Sequence, residues 1–176
     1  MSSDSAPPSP FQFGPFTIPS ETVFHSTTLS TAFVNLRPIV PGHVLICPKR
    51  SGVLRMQDLS EAEYLDLWST VRTVQSMIES THSATGSNVA VQDGKSAGQS
   101  VPHVHVHVLP RKGGDFESND DVYEEIEGWG PWKGQLGGGD KMEVPDDADR
   151  KDRTIETMIE EATRYRSLIE TEQSRK

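Results

Sequence analysis

The run Val101-Pro102-His103-Val104-His105-Val106-His107-Val108-Leu109-Pro110 constrains this chain more than any other stretch. Three of the six histidines alternate with valines here. In an extended strand, successive side chains point to opposite faces, so residues i, i+2 and i+4 share one. The pattern predicts a strand with His103, His105 and His107 on one face and Val104, Val106 and Val108 in the core. On a helix the same histidines would fan around the axis and could not converge. Leu109-Pro110 is expected to stop the strand, since proline has no N–H to give to a central ladder.

Three aligned imidazoles admit three readings. The first is an exposed or pH-sensitive strand, but asparagine or threonine would fill such a face more simply. The second is a metal site, because three imidazoles with an open position suit catalytic zinc. Same-face residues on one strand stand roughly 6.5–7 Å apart, which is too far for all three to reach one ion unaided. The only cysteine, Cys47, sits in an apolar run, and no His-Glu helix motif is present. No metal ligand is therefore assigned. The third reading is nucleophilic catalysis, with one imidazole attacking while its neighbours orient it or bind an anion. Neutral imidazole is abundant at pH 7, its ordinary pKa being about 6.5. This reading leads.

The rest of the chain reads as a mixed fold. Residues 21–26, 31–36, 43–48 and 87–92 have strand composition, and Val44-Leu45-Ile46-Cys47 is apolar enough to be covered on both sides. Ser60-Glu61-Ala62-Glu63 is a capping box opening a helix that runs to about residue 81, with Leu67, Trp68, Val71, Val74, Met77 and Ile78 facing the core. The histidine strand is expected to close the sheet. A helix inserted between antiparallel strands makes the fold α+β: a sheet of about five strands, one long helix after the third or fourth, and a C-terminal helix. That last helix is marked by Ile155, Met158, Ile159, Ala162, Tyr165 and Ile169.

Residues 1–10, rich in serine and proline, read as a disordered tail without the apolar core of a signal peptide. The core domain is expected over 11–127, with the acidic stretch 115–127 as a solvated face. Residues 128–148 begin with the glycine-rich segment 128–139, carrying Trp129 and Trp132, and read as a flexible connector. Residues 149–176 read as the helix that packs on the domain or on a partner subunit. A net charge of −9 argues against binding to nucleic-acid polymers. A lone cysteine permits no internal disulfide, and no run is long and apolar enough to cross a bilayer. The expectation is a protein of the cytoplasm, with the nucleus also open to it, and no membrane partner.

His103-Val104-His105-Val106-His107-Val108-Leu109 resembles the histidine-triad signature, three histidines each followed by an apolar residue. Gly98-Gln99-Ser100-Val101 ahead of it and Pro110-Arg111-Lys112-Gly113-Gly114-Asp115-Phe116 after it agree, as do Asn35, Pro41-Gly42-His43-Val44-Leu45 and Gln92-Asp93-Gly94 upstream. Together these resemble the Fhit branch, the dinucleoside triphosphate hydrolases, over roughly residues 11–123. The resemblance implies the histidine-triad fold and a homodimer whose sheets meet edge to edge. It implies that His105 attacks the α-phosphorus of a dinucleoside polyphosphate and is nucleotidylated, and that water then releases the mononucleotide. His103 and His107 would orient it and bind phosphate oxygens, with His107 also a substrate contact and His43 a supporting partner. Asn35 would bind the nucleotide sugar. Gln92, Gly98, Gln99, Ser100 and Val101 would surround the phosphates and the leaving group. The branch often places a histidine a few residues after its opening Phe-x-Phe-Gly, whereas Phe13-Gly14-Pro15-Phe16 has none. The substrate contacts near the N-terminus therefore stay unassigned.

The expected activity is cleavage of diadenosine triphosphate-like substrates to AMP and ADP. The alternatives are hydrolysis of nucleoside phosphoramidates such as AMP-lysine, as in the sister branch, or a slow-turnover binding module whose nucleotide complex is itself the signal. The mechanism requires no cofactor. A divalent cation, Mg²⁺ or Mn²⁺, can accompany the polyphosphate and offset its charge.

Overall fold

The computed structural model describes residues 10–129 and 152–174. The proposed N-terminal tail and most of the glycine-rich connector, Trp132 included, lie outside them. A short hairpin, β1 (Phe11–Phe13) and β2 (Phe16–Ile18), precedes a five-stranded antiparallel sheet. The sheet contains β3 (Val23–Ser26), β4 (Ser30–Val34), β5 (Val44–Pro48), β6 (Gly86–Ala90) and β7 (Val106–Arg111), in the order β3-β4-β5-β7-β6. Helix α1 (Glu61–His82) follows the third strand of this sheet, α2 (Asp121–Glu127) follows the last, and α3 (Ile155–Gln173) ends the chain. The α+β reading holds, with an antiparallel five-stranded sheet.

Local chemistry accounts for several of these boundaries. Ser60 caps α1 by accepting from the Glu63 N–H at 3.3 Å, and the Glu63 carboxylate accepts from the Ser60 N–H at 2.8 Å. Both donations satisfy amides that a helix start would otherwise leave bare. On one face of the sheet, Ala32, Val34, Val44, Ile46, Val106 and Val108 form a single core with Leu67, Val71, Val74, Met77 and Ile78 of α1. Met158, Ala162, Tyr165 and Ile169 of α3 join it. Each Val, Leu, Ile and Met side chain among them contributes about 1.5–3 kcal/mol on leaving water. The opposite face carries Phe33, Leu45 and Cys47, covered by Phe11, Phe13, Val101 and Trp129. β5 is thus buried on both sides, as its apolar run predicts.

Four expectations are corrected. The histidine strand does not close the sheet: β7 lies between β5 and β6, and β6 is the edge. β7 begins only at Val106, so His103 and His105 precede the ladder. Val104 donates its N–H to the Val53 carbonyl at 2.9 Å, and the Pro48 carbonyl accepts from the His103 ring at 2.8 Å. The backbone groups that would extend the β5 ladder are therefore taken. Nor does Pro110 stop the strand. Pairing with β5 ends at Val108, so at Pro110 only β6 remains alongside, and a missing N–H is tolerated. Finally, the acidic stretch is not simply solvated: α2 buries Val122 and Ile126 against Leu109 and Val40.

Candidate active site

Although His103 and His105 lie outside the strand, the alternation survives. All three histidines are buried on the face opposite the valine core. The register Leu45↔His107 and Ala90↔His107 holds the third histidine between two neighbouring strands. The hairpin supplies the cover. Phe13 meets His105 edge-on at 5.1 Å between ring centroids, and Phe11 meets His103 edge-on at 5.5 Å. The Phe-x-Phe spacing at residues 11–13 is visible in the sequence; its contact with the histidines is not.

Backbone groups decide which nitrogen of each ring carries the proton. His103 Nε2 donates to the Pro48 carbonyl at 2.8 Å, and His105 Nδ1 donates to the His103 carbonyl at 2.8 Å. The neutral His105 ring therefore keeps its lone pair on Nε2. His43 follows the turn at Gly42, whose φ of +87° suits glycine. Its Nδ1 accepts from the Ile39 N–H at 3.1 Å, so Nε2 carries the proton and donates to His107 Nδ1 at 2.9 Å. That leaves a proton on His107 Nε2. Among the described residues, neither His105 Nε2 nor His107 Nε2 has a hydrogen-bond partner. A bare lone pair and a bare N–H thus stand on adjacent rings whose centroids are 4.9 Å apart.

Burial keeps the row neutral. It pulls His105 down to about 4, with the neighbouring His103 ring adding to the effect and the bond to the His103 carbonyl opposing it. His107 is held well below the usual imidazole value by burial, then by the His105 and His43 rings. His103 is lowered by burial and partly restored by the Pro48 carbonyl. Desolvation penalises the charged form of each ring, so all three are uncharged at neutral pH.

The remaining sequence candidates divide. Asn35 is brought to the row: its amide nitrogen lies 3.3 Å from both ring nitrogens of His43, and its Oδ1 accepts from the Arg37 N–H at 3.0 Å. Continuing the Ala90↔His107 register places Gln92 opposite His105. Gln92 Nε2 donates to the Ile126 carbonyl at 3.2 Å, and its Oε1 is buried without a partner among the described residues. Ser100 Oγ is in the same condition. Gly98 has φ +83°, and a Cβ there would fall 2.7 Å from Gln92 Nε2, so this glycine lets the loop close on that amide. Val101 is core, packed with Phe11, Phe13 and Phe33. Gln99 is committed to the loop itself, accepting from the Gly94 N–H at 2.9 Å and donating to the Leu54 carbonyl at 2.8 Å.

Sequence reasoning missed Trp129, which it placed in the connector. The indole lies against three of the rings, with centroids 4.7 Å from His107, 5.6 Å from His105 and 6.2 Å from His43. Its N–H donates to the Arg37 carbonyl at 3.2 Å. It also walls an apolar groove of about 280 Å³ with Phe13, Phe16, Ile18, Phe33 and Leu45. No local pattern in a glycine-rich segment signals such a contact. Among the described residues no cluster of three or more His, Cys, Asp or Glu is arranged to hold a metal ion, and no helix is long and apolar enough to cross a membrane.

This arrangement pairs a neutral nitrogen nucleophile with a neighbouring N–H donor for a developing anion, beside an apolar slot of the kind that takes a planar ring. The HIT domain model matches residues 17–114. The bifunctional bis(5'-adenosyl)-triphosphatase/adenylylsulfatase of Arabidopsis thaliana is 48% identical over 162 residues, covering 92% of this chain and 86% of that protein. The asymmetrical bis(5'-nucleosyl)-tetraphosphatase of Schizosaccharomyces pombe is 44% identical over 185 residues, covering 96% and 99%. Among solved structures, the diadenosine triphosphate hydrolase of Plasmodium falciparum, in complex with cyclomarin A, superposes with a TM-score of 0.71 at 27% identity. That match covers 97% of this chain and 90% of the other.

Proposed function

The chain belongs to the HIT domain family, and on that premise we propose that it hydrolyses dinucleoside polyphosphates of the diadenosine triphosphate type to AMP and ADP. The observation that carries this reading is the bare, uncharged Nε2 of His105, held in its tautomer by the His103 carbonyl. In the proposed first step that lone pair attacks the α-phosphorus, a P–N bond forms, and the P–O bond to the nucleoside diphosphate breaks. The ring then carries a positive charge, which the Nδ1–H bond to the His103 carbonyl stabilises. His107 Nε2–H donates to a phosphate oxygen as charge builds, and His43 holds it in the tautomer that can do so. Water then attacks phosphorus, the P–N bond breaks, and His105 is neutral again once the water's proton has left. Asn35 takes the nucleotide sugar, while the Gln92 amide, through its second N–H, and the Ser100 hydroxyl donate to the bridge and the leaving group.

Phosphorus has no path to His105 Nε2 while the ring is 1% exposed, so a cover must move before attack. We assign that movement to Trp129, because Phe13 is paired into the β1–β2 ladder whereas the indole is held by packing and by its N–H bond to the Arg37 carbonyl. No cofactor enters these steps; Mg²⁺ or Mn²⁺ can travel with the substrate. The partner we propose is a second copy of this chain, joined through the free side of the edge strand β6.

The Schizosaccharomyces pombe relative favours a second reading of chain length, with a tetraphosphate as the better substrate. Rapid quench without acid, followed by intact-protein mass spectrometry, tests both readings using the tri- and tetraphosphate beside an adenosine phosphoramidate. An added AMP mapping to His105, with the phosphoramidate slowest, is expected. Fastest turnover of the phosphoramidate would transfer the protein to the sister branch. Tight binding without adduct or turnover would make it a binding module.

A further inference from the structure

The turn between β4 and β5 enters the site at Asn35, and three successive carbonyls there accept from groups distant in the chain. The Asn35 carbonyl accepts from Arg153, through Nε at 3.0 Å and through Nη2. The Leu36 carbonyl accepts from the Arg153 backbone N–H at 3.2 Å, and the Arg37 carbonyl from Trp129. Arg37 itself pairs with Asp152. The Arg153 guanidinium also pairs with Glu161, whose other oxygen accepts from the Tyr165 hydroxyl at 2.7 Å. His82 Nε2 lies 2.7 Å from the same hydroxyl.

Anchoring α3 does not require this guanidinium, because Met158, Ala162, Tyr165 and Ile169 already seat the helix in the core. What Arg153 adds is directional. Two of its nitrogens grip one carbonyl while a third holds a carboxylate, a geometry that a planar fork supplies and a lysine ammonium does not. The gripped carbonyl belongs to the residue whose amide lies against His43, and His43 Nε2 donates to His107. We propose that Arg153 is a positioning residue: it fixes Asn35, and through Asn35 the His43–His107 pair that sets the tautomer facing the phosphate. This inference rests on the hydrolase reading above.

The test is a double-mutant cycle between Arg153 and Asn35 on the full chain, with diadenosine triphosphate as substrate. Arg153→Met is expected to lower kcat about tenfold with a smaller change in KM, and to have less than about a twofold effect in an Asn35→Ala background. Arg153→Lys should fall between wild type and Arg153→Met. Penalties that simply multiply, or wild-type kcat in Arg153→Met, would overturn the proposal, since a purely structural anchor acts independently of Asn35. If Arg153→Met does not fold, Glu161→Gln enters the same cycle, with an expected loss of about threefold that again vanishes on Asn35→Ala. If the wild-type protein turns over no nucleotide, the hydrolase reading fails first. The cycle is then read on AMP binding by calorimetry, where coupling between the two positions still supports the proposal and additivity still ends it.

Discussion

Two polar clusters in this molecule are built on opposite rules. In the one that joins α1 to α3, His82, Tyr165, Glu161, Arg153 and the Asn35 carbonyl pass hydrogen bonds from one to the next. In and beside the histidine row, His105 Nε2, His107 Nε2, Gln92 Oε1 and Ser100 Oγ are buried with no partner among the described residues. Each such atom costs about 1–3 kcal/mol when left bare. Ser30, Trp68 and Thr70 also bury a bare polar atom, but they are spread along β4 and α1, whereas three of these four fall within residues 100–107 and the fourth, Gln92, lies opposite His105 in register. A satisfied network holds elements together. A concentrated set of unsatisfied atoms is what a reactive site would present: the His107 N–H and the Ser100 hydroxyl can donate to a ligand's oxygens, and the His105 lone pair can meet an electrophile.

The sharpest way to break this comparison is to remove the bare imidazole of His105. His105→Asn is expected to lower kcat on diadenosine triphosphate by at least about 10⁴-fold. Its affinity, read by calorimetry, should stay within about threefold, and its melting temperature should not fall. Loss of affinity together with turnover would mean that His105 supports the fold, as the α1–α3 cluster does.

Uncovering the row is the next test. Trp129→Ala should raise the rate at which diethylpyrocarbonate modifies His105 by about tenfold, since that reagent needs an exposed neutral imidazole. Peptide mapping reads the modified residue, and an unchanged rate would show that Trp129 is not the cover.

Acid tests the histidine row through stability. The folded pKa values of His103, His105 and His107 are depressed below the ordinary imidazole value. Their burial as neutral rings therefore contributes stability that is fully present above pH ~6.5 and is lost as pH falls towards the folded values, which for His105 means towards about 4. Denaturant unfolding across this window should weaken with acid. In His105→Asn the slope should be shallower by up to one proton, about 1.4 kcal/mol per pH unit. A parallel pH profile in the variant would show that His105 is not buried neutral.

The smallest expected effect tests the satisfied cluster. Tyr165→Phe removes the hydroxyl shared by Glu161 and His82, and should cost about 1–2 kcal/mol of stability while kcat stays within about twofold. A large kcat loss at full stability would place the cluster's outer members in the chemistry.

What the residues determined alone is what depends on neighbours in the chain. Period-two alternation from His103 to Val108 assigned the histidines to one face and Val104, Val106 and Val108 to the other. It did so even though the ladder begins only at Val106, because extended backbone alternates its side chains with or without a partner strand. The Ser60–Glu63 box set the start of α1 for the same local reason. Tertiary structure decided the rest. The free nitrogen of His105 follows from a carbonyl two residues away, but that of His107 depends on His43, 64 positions earlier. Trp129 reaches the Arg37 carbonyl across 92 positions and Arg153 reaches the Asn35 carbonyl across 118. Contacts of that separation leave no periodic trace in the sequence, because they exist only after the sheet has brought distant backbone groups within hydrogen-bonding reach.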